Sequence, residues 1–254
     1  MADLGGIVLP RTTCKVFNQD GNNNWTISAT HKLKGEMKIR TKYLIDATGR
    51  KSSVSRKLGI QSKKIDKLIG VGTFLKSSPE DQNEFHQQMI ETTELGWWYT
   101  STLPNNTIAA TLFTDADMVS KMKLNEPQKW NEALAKTKHM VGKLSGMQSK
   151  SDKLYIRDAS SQINDCSAYS HFIAIGDAAI SFDPISSMGI GFAMTSACHA
   201  ASLVNNQIKN EDCYTTIQFQ NDLNQHFNNY LNTRKKYYGQ ERRWQESSFW
   251  SRRI

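Results

Sequence analysis

The sequence predicts an α/β fold of the mixed α+β kind, and three patterns support that prediction. Short β-like runs fill Gly6–Ile45 and recur over Lys67–Thr114. A brief apolar strand, His171–Ile175, is followed by a helix of small residues that begins at Gly189. A long helical pattern then covers Asp212–Lys236. A chain of 254 residues is long enough for one large domain or two modest ones.

The N-terminal region is predicted to form a small antiparallel meander. Its strands are expected at Ile7–Leu9, Thr12–Phe17, Trp25–Thr30 and Met37–Ile45. The Asp20-Gly21-Asn22 segment has the residue types that favour a turn. The last strand leads to Asp46, and a short helix is expected over Ser52–Leu58.

A second set of strands is predicted in the middle of the chain. These strands are Leu68–Lys76, His86–Glu91, Leu95–Thr102 and Thr107–Thr114, with a hairpin turn at Pro104-Asn105-Asn106. Because strand side chains alternate, Trp97 and Trp98 are expected on opposite faces. One indole should enter the core, and the other is a candidate wall for a ligand pocket. Packing of both indoles inside the sheet is the alternative.

Two carboxylates, Asp115 and Asp117, lie at the predicted end of this sheet. Paired carboxylates can do acid–base chemistry, but capping of a helix that begins near Met118 is the favoured interpretation. Further helical segments are predicted over Glu126–Lys138 and Met140–Met147. Short strands at Leu154–Arg157 and Gln162–Ile163 follow, and a terminal helix anchored by aromatic residues is expected at the C-terminus.

Charge and cysteine content exclude several classes of protein. The formal net charge is +8 and the pI about 9.2, but Glu241 and Glu246 interrupt the basic C-terminal residues. A solvated helix face is therefore favoured over nucleic-acid binding. The cysteines are scattered without a CxxC pair, which predicts reduced thiols in the cytoplasm and no metal site; they are Cys14, Cys166, Cys198 and Cys213. No apolar run reaches the ~20 residues of a membrane span.

The segment after the His171–Ile175 strand has the residue types of a ligand-binding turn. Asp177 is an acceptor for a polyol, and Ser187 is placed to cap the next helix. Gly189 and Gly191 let a flat ring approach the first helical turn, whose N–H groups attract an electron-rich edge. These properties suit a flavin, whose ribityl chain needs an acceptor. The alternative is a structural turn that Asp177 only caps.

Two motifs in this sequence resemble those of a known superfamily. The first is Tyr43-Leu44-Ile45-Asp46-Ala47-Thr48-Gly49-Arg50, followed by Ser53 and Arg56. The second is Gly176-Asp177-Ala178-Ala179, followed by Asp183-Pro184 and Gly189. Both are similar to motifs of the FAD-dependent hydroxylase and tryptophan-halogenase-like superfamily. The resemblance implies FAD as cofactor and the C-terminal part of a glutathione-reductase-type FAD-binding fold, with an inserted antiparallel substrate-domain sheet.

The resemblance also implies a set of site residues and domains. The cofactor-binding positions are Asp46, Gly49, Arg50, Gly176, Asp177, Pro184, Ser187, Met188, Gly189 and Ile190. The substrate pocket is assigned to Trp97, Trp98 and Ser186, and no residue is assigned as catalytic. The FAD-binding domain is expected at residues 1–66 and 153–209, the substrate domain at 67–152 and a C-terminal helical region at 210–254.

One feature of a dinucleotide-binding fold does not occur in the sequence. The G-x-G-x-x-G pattern admits a pyrophosphate between the first strand and helix. Neither Gly70-Val71-Gly72 nor Gly189-Ile190-Gly191 fits it. We therefore expect a fragment or a naturally shortened copy that lacks the ADP-binding βαβ unit.

The residues after the flavin-motif proline indicate the reaction. Halogenases of the superfamily place a glutamate where this chain has Ser186, and Gly96-Trp97-Trp98-Tyr99 does not match their Trp-x-Trp segment. A hydroxyl cannot take over the role of a carboxylate, which argues against halogenation. The sequence is closer to the flavoproteins that modify a tryptophan in a partner amine oxidase during quinone-cofactor maturation, through its FDPISS and GWWY segments and its Arg-Trp…Phe-Trp ending.

The predicted function is that of an FAD-dependent oxidoreductase, a monooxygenase that acts on an aromatic or protein-borne, tryptophan-like group. Its expected partner is an aromatic small molecule or a protein that carries the substrate residue. Two alternatives stay open at this point. One is a truncated, non-catalytic flavoprotein-like interaction domain, and the weaker one is a basic nucleic-acid-binding protein.

Overall fold

The structure is a computed structural model that describes residues 2–76, 88–209 and 215–254. It confirms the mixed fold class, with helices and mainly antiparallel sheets. The strands are β1 (Thr12–Gln19), β2 (Trp25–His31), β3 (Gly35–Thr41), β4 (Leu44–Asp46), β5 (Ser62–Lys64), β6 (Leu68–Lys76), β7 (Met89–Thr93), β8 (Gly96–Leu103), β9 (Thr107–Asp115), β10 (Gln148–Ser149), β11 (Tyr155–Asp158), β12 (Gln162–Asn164), β13 (Phe172–Ala174) and β14 (Ile180–Ser181). The helices are α1 (Ser53–Lys57), α2 (Ala116–Met122), α3 (Pro127–Leu134), α4 (Met140–Leu144), α5 (Gly189–Ile208) and α6 (Thr216–Tyr238).

The chain divides into two compact units. Unit 1 consists of residues 1–63, 162–181 and 187–227, and unit 2 of residues 64–161, 182–186 and 228–254. Each unit is therefore built from three separate stretches of sequence.

Unit 1 begins with the predicted antiparallel meander, in the order β1-β2-β3. The predicted turn between the first two strands is confirmed, because Asp20 Oδ1 accepts the backbone N–H groups of Asn22 and Asn24 at 2.9 Å each. The strand predicted at Ile7–Leu9 is wrong. These residues form no strand and are exposed, Ile7 to 85%, so they lack both a pairing partner and a buried face.

The single strand predicted over Met37–Ile45 is two strands. Thr41 Oγ1 donates to the Tyr43 carbonyl at 3.0 Å, and this local bond accompanies the break between β3 and β4. While β3 completes the meander, β4 leaves it and pairs in parallel with β13, with Leu44 opposite Phe172 and Asp46 opposite Ala174. The parallel pair brings the segments that follow β4 and β13 to the same edge.

Unit 2 is built on an antiparallel sheet in the order β10-β6-β9-β8-β7, with β11 also paired to β6. The hairpin turn at Pro104-Asn105-Asn106 is confirmed, and Asn105 and Asn106 have positive φ angles of 62° and 50°. The strand predicted over His86–Glu91 is observed at Met89–Thr93, and residues 86 and 87 lie outside the described residues.

Trp97 and Trp98 lie on opposite faces of β8, as the alternation predicts. Trp97 is 1% exposed and belongs to a core that includes Leu68 and Phe249, whereas Trp98 is fully buried in a core that includes Trp130. Both indoles therefore pack inside unit 2.

Helix α3 is shorter than the predicted Glu126–Lys138 because a threonine interrupts the pattern. Thr137 Oγ1 donates to the Leu134 carbonyl at 2.7 Å and accepts the Val141 N–H at 2.9 Å, so it closes α3 and opens α4. The other long helix, predicted from Asp212, is α6; residues 210–214, which include Cys213 and Tyr214, lie outside the described residues.

The capping role predicted for Asp115 and Asp117 is wrong. Neither forms a side-chain cap at α2. Asp115 is 2% exposed and binds both Arg252 and Arg253, while Asp117 binds Arg252 at 2.8 Å. The aspartates therefore fasten the C-terminal residues to unit 2.

The terminal helix predicted near the C-terminus is also wrong. Residues after Gln240 form a series of turns. The aromatic anchoring is confirmed, because Phe249 and Trp250 are 0% and 1% exposed and the Trp250 indole N–H donates to the Thr93 carbonyl at 2.8 Å. The aromatic contacts and the Asp115 ion pairs hold this segment, in which isolated turns such as the bond from the Ser251 N–H to the Ser247 carbonyl do not extend into a regular helix.

Cys14, Cys166 and Cys198 are free thiols. Burial raises the pKa of the Cys166 thiol to about 12, so Cys166 is not a nucleophile at neutral pH. Within the part of the chain that the structure describes, no group of three or more His, Cys, Asp or Glu side chains is placed to hold a metal ion.

Among the described helices, none combines the length and the apolar character that crossing a bilayer requires.

We expect Arg253→Met to lower the free energy of unfolding by about 3 kcal/mol, because it leaves the buried Asp115 carboxylate short of a partner. Urea unfolding measures the change. The exposed Arg242→Met is the control and should change the free energy by less than about 0.5 kcal/mol. Equal effects of the two substitutions would show that the Asp115 ion pair does not anchor the C-terminal segment.

The pH dependence of stability should report the Glu241 carboxylate. The hydrogen bonds from Arg243 hold the pKa of Glu241 at about 2, below the ordinary 4.5. The stabilisation that the ionised Glu241 contributes through its bonds to Arg243 is therefore fully present above about pH 4.5, and it is lost as the pH falls toward 2. We expect the free energy of unfolding, measured with urea at several pH values, to be higher for wild type than for Glu241→Gln by at most about 1 kcal/mol at pH 6. This difference should shrink below pH 4.5. In an Arg243→Met background this pH-dependent difference should become smaller, because the Thr92 hydroxyl and the backbone N–H of residue 243 are the donors that remain.

Candidate functional site

The candidate site lies in unit 1, where the parallel β4–β13 pair ends. The Leu44 N–H bonds to the His171 carbonyl and the Ile175 N–H to the Asp46 carbonyl, each at 3.0 Å. These bonds fix the position of two short turns, the one at residues 47–52 after β4 and the one at Gly176–Ala178 after β13. Helix α5 begins shortly afterwards at Gly189.

Asp46 organises the first turn from inside the protein. Its side chain is 0% exposed. One oxygen accepts the Thr48 N–H at 2.9 Å and hydroxyl at 2.6 Å, and the other accepts the Ser55 N–H at 2.8 Å and hydroxyl at 2.7 Å. Both carboxylate oxygens are thus used by protein donors, which assigns Asp46 to the support of the turn and the start of α1.

The turn after Asp46 needs an unusual backbone. Gly49 has a φ angle of +69°, and Ser52 adopts the left-handed region at +43°. A β-carbon at Gly49 would meet no atom within 4 Å, so glycine is needed here for its backbone angle and leaves open space above the turn. Between these residues the side chain of Arg50 extends to the second turn.

The two turns are joined by an ion pair between Arg50 and Asp177. Arg50 Nε lies 3.4 Å from Asp177 Oδ2, and the side chains are 27% and 32% exposed. Partial burial raises the pKa of the Asp177 carboxyl, and the positive charge of Arg50 opposes that rise. Asp177 is therefore a half-buried carboxylate with access to solvent, in contrast to Asp46.

Gly176 lets α5 approach the second turn closely. Its φ angle is +54°, and a β-carbon there would lie 3.3 Å from the Ala193 β-carbon on α5. The Gly176 N–H donates to Ser196 Oγ at 3.0 Å. The start of α5 is also near Asp177, since a β-carbon at Gly189 would lie 3.9 Å from Asp177 Oδ1.

The cap predicted at Ser187 is wrong. Met188 is the N-cap residue of α5 and Ser187 precedes it with a left-handed φ angle of +53°. No side-chain hydrogen bond caps this end. The first turn of α5 is instead open, with Ile190 81% exposed, and a helix N-terminus of this kind favours an electron-rich ligand.

Two buried amides that the sequence analysis missed tie the turns together. Asn164 Nδ2 donates to Ser52 Oγ at 2.8 Å and to the Ala178 carbonyl at 2.6 Å, and Gln162 Nε2 donates to the Arg50 carbonyl at 2.8 Å. Both residues lie in β12, a strand too short for alternation to indicate which side chains are buried. The amides hold the first turn at the Arg50 carbonyl and the Ser52 hydroxyl, and the second turn at the Ala178 carbonyl.

Pro184 and Ser186 belong to unit 2, in a turn built by Asp183. Asp183 is fully buried, accepts the Ile185 N–H at 3.1 Å, and binds Arg234 Nε at 3.2 Å and the Tyr238 hydroxyl at 2.7 Å. Burial raises the pKa of Asp183, and the charge of Arg234 opposes that rise. The Ser186 hydroxyl donates to the Asp183 carbonyl at 2.8 Å, so it takes part in the turn.

The two tryptophans predicted as pocket walls have packing partners within unit 2. Trp97 stacks on Phe113 with ring centroids 4.1 Å apart and donates to the Tyr238 hydroxyl at 3.0 Å. Trp98 meets Trp130 edge-on at 4.9 Å. With exposures of 1% and 0%, these contacts favour the packing alternative for both indoles.

The residues of unit 1 fit the flavin and ribityl parts of FAD. Asp177 offers a partly exposed acceptor for a ribityl hydroxyl. Arg50 offers a cation for a phosphate, and the open N-terminus of α5 offers N–H donors. At Gly191, as at Gly49, a β-carbon would meet nothing within 4 Å, so a flat ring has space there. Gly70 and Gly72 offer no such space for a ring, since a β-carbon at Gly72 would collide with the Ala110 carbonyl oxygen inside the sheet.

The sequence has a clear family match and a close relative. Residues 3–212 match the family model described as FAD binding domain. A protein of Marinomonas mediterranea, named as the FAD-dependent oxidoreductase LodB, is 39% identical over 252 residues, which represent 99% of this chain and 66% of that relative. The chain thus spans just under two thirds of the length of this curated relative.

Solved structures show the same fold. The flavin-dependent halogenase CmlS matches with a TM-score of 0.81 at 20% identity, over 95% of this chain and 45% of its own. The peptidyl tryptophan dihydroxylase QhpG matches with a TM-score of 0.74 at 18% identity, over 94% of this chain and 53% of its own. These matches confirm the predicted fold.

We expect Asp46→Asn to lower the free energy of unfolding by about 2–3 kcal/mol, because the amide nitrogen would face N–H and O–H donors in a buried position. Asp165→Asn is the matched control. Asp165 accepts the N–H and hydroxyl of Ser167 in the same way, but at an exposed position, and its loss should cost less than about 1 kcal/mol. Urea unfolding of both variants checks this difference, and equal costs would contradict the supporting role of Asp46.

Proposed function

This chain belongs to the FAD binding domain family, and we propose that it holds the flavin of FAD in a flavin-dependent monooxygenase. The Arg50–Asp177 pair beside the open N-terminus of α5 carries this proposal. At the edge where the β4–β13 pair ends, Asp177 is the carboxylate that a ligand can reach. Both oxygens of Asp46 already accept hydrogen bonds from Thr48 and Ser55.

Each residue of this site has a separate task. Asp177 accepts a hydroxyl of the ribityl chain, and Arg50 favours the charged form of Asp177 and neutralises phosphate charge. The α5 N-terminus stabilises negative charge on the flavin ring. When bound, reduced FAD supplies the electrons with which dioxygen is cleaved and one oxygen atom is inserted into a substrate.

The proposed substrate is an aromatic group, either on a small molecule or on a tryptophan-like residue of a partner protein. QhpG is named as a peptidyl tryptophan dihydroxylase, which supports this class. The Ser186 hydroxyl, bonded to the Asp183 carbonyl, provides no carboxylate for halogenation. The G-x-G-x-x-G motif for the ADP part does not occur in this sequence, so we propose that the flavin half of FAD makes the contacts to this chain.

A second candidate function is an interaction domain that binds another chain. It is favoured by one observation, the exposed apolar residues along α5: Ile190 is 81% exposed and Met194, one helical turn later, 67%. Exposed apolar stripes of this kind mark contact surfaces. FAD binding distinguishes the candidates, because an interaction domain that has lost its cofactor needs neither Arg50 nor Asp177.

We expect purified protein titrated with FAD to show a flavin absorbance band after gel filtration and a rise in melting temperature. Asp177→Ala should weaken FAD binding about tenfold or more, because it removes a hydrogen-bond acceptor that is charged. Arg50→Met should weaken it in the same direction. The control is Asp152→Ala, an exposed aspartate in unit 2. Absence of both the flavin band and the thermal shift in wild type would refute cofactor binding by this chain.

A further inference from the structure

Unit 2 contains a cavity that the proposed flavin site does not use. Its volume is about 560 Å³, within the range of roughly 300–1,000 Å³ typical of small-molecule sites. It lies between the end of edge strand β7, helix α2, the end of α3 and the C-terminal turns. We call it the β7 cavity.

The floor of the β7 cavity is apolar and contains one well-held aromatic ring. Leu95, Met118, Met122 and Trp244 line it. The Trp244 indole is stacked on Trp250 at 6.4 Å between ring centroids and lies under the Arg243 guanidinium at 4.2 Å. Trp244 is thus a fixed aromatic surface, whereas the methionines can adapt to the shape of a ligand.

The acidic groups at the β7 cavity are mostly engaged by the protein itself. Glu91 accepts the backbone N–H of Met140 at 2.9 Å and the N–H groups of the two residues before it. Glu241, beside the cavity, is paired with Arg243: Arg243 Nε donates to Glu241 Oε1 at 2.9 Å, and Arg243 Nη2 donates to Glu241 Oε2 at 2.6 Å. Among the described residues, neither Glu91 nor Glu94, the two carboxylates of the lining, has a side-chain cation within ion-pair distance.

Three lysines at the β7 cavity have unneutralised charge. Lys121, Lys136 and Lys138 line it, and their side chains are exposed. In residues 2–76, 88–209 and 215–254, none of the three has a carboxylate within ion-pair distance. Glu91 and Glu94 are the carboxylates of the lining and the charge of Arg243 is paired with Glu241, so the three lysines still give the rim an excess of positive charge over an apolar floor.

We propose that the β7 cavity is a binding site for an aromatic carboxylate. The apolar floor with Trp244 takes the ring, and the lysine rim takes the carboxylate. A cationic ligand is repelled by the three lysines, and a neutral aromatic ligand would bury the floor without using the charges. The site goes beyond the proposed flavin function and shares no residue with it.

The test uses the whole chain and 2-naphthoate as probe, measured by isothermal titration calorimetry. We expect 2-naphthoate to bind with an affinity that falls as salt is raised. 2-Naphthamide, which has the same ring without the charge, should bind at least about fivefold more weakly. Lys121→Gln/Lys138→Gln should weaken 2-naphthoate binding about fivefold or more. Lys153→Gln, at an exposed lysine outside the cavity, is the matched control and should leave the affinity unchanged.

Three results would overturn the proposal. They are no heat of binding with 2-naphthoate, equal affinity for 2-naphthamide, and unchanged affinity in the double lysine variant. Because the substituted lysines are exposed, their replacement leaves the core intact, and circular dichroism of the variant verifies its fold. Trp244→Phe gives an independent check, since it keeps an aromatic floor while removing the Trp244 fluorescence that bound 2-naphthoate should quench.

Discussion

The parallel pairing of β4 with β13 is the constraint on which the candidate site depends. Only three residues of each strand take part, yet the pair places the turn after Asp46 beside the turn after Ala174. Parallel strands bring their carboxyl ends to one edge, and in α/β proteins that edge is where ligands bind. The contacts that secure the pair come from elsewhere in unit 1. Asn164 on β12 bridges Ser52 and Ala178, and α5 is drawn in by the Gly176–Ser196 bond.

Burial separates carboxylates that support the structure from one that is available to a ligand. Asp46, Asp115 and Asp183 are at most 2% exposed, and each is surrounded by donors from its own unit. A buried carboxylate is tolerated only when its oxygens are bonded in this way. Among the residues that the structure describes, Asp177 pairs with the cation of Arg50, and 32% of its side chain is exposed. The same residue type therefore has two roles, and the number of protein donors around it decides which one applies.

The sequence predicted the parts of the fold that local pattern controls. The hairpins, the opposite faces of Trp97 and Trp98, and the helix that begins at Gly189 follow from alternation, turn residues and helical periodicity. The turn after β13 was singled out by its motif, and its role in flavin binding stays a prediction. Contacts between distant residues were not predicted, because no local pattern encodes them. Asp115 resembles a helix cap in sequence, but Arg253, 138 residues away, binds its carboxylate. Ser187 also has a residue type that is typical of a helix cap. Its backbone is in the left-handed region, which prevents it from capping α5.

Buried Arg234 explains why the short 3-10 turn at Pro184–Ser186 keeps its shape. Arg234 binds both Asp183 and Asp66, at 3.2 and 3.0 Å, and the Tyr238 hydroxyl is shared between Asp183 and the Trp97 indole. A shift of the turn would therefore break several charged and neutral hydrogen bonds at once, and each broken bond would leave a buried polar group unsatisfied. The side chains of α6 thus hold the Asp183 turn in one position, and the bond from the Ser186 hydroxyl to the Asp183 carbonyl follows from that position. Ser186 is therefore a residue that the turn itself uses.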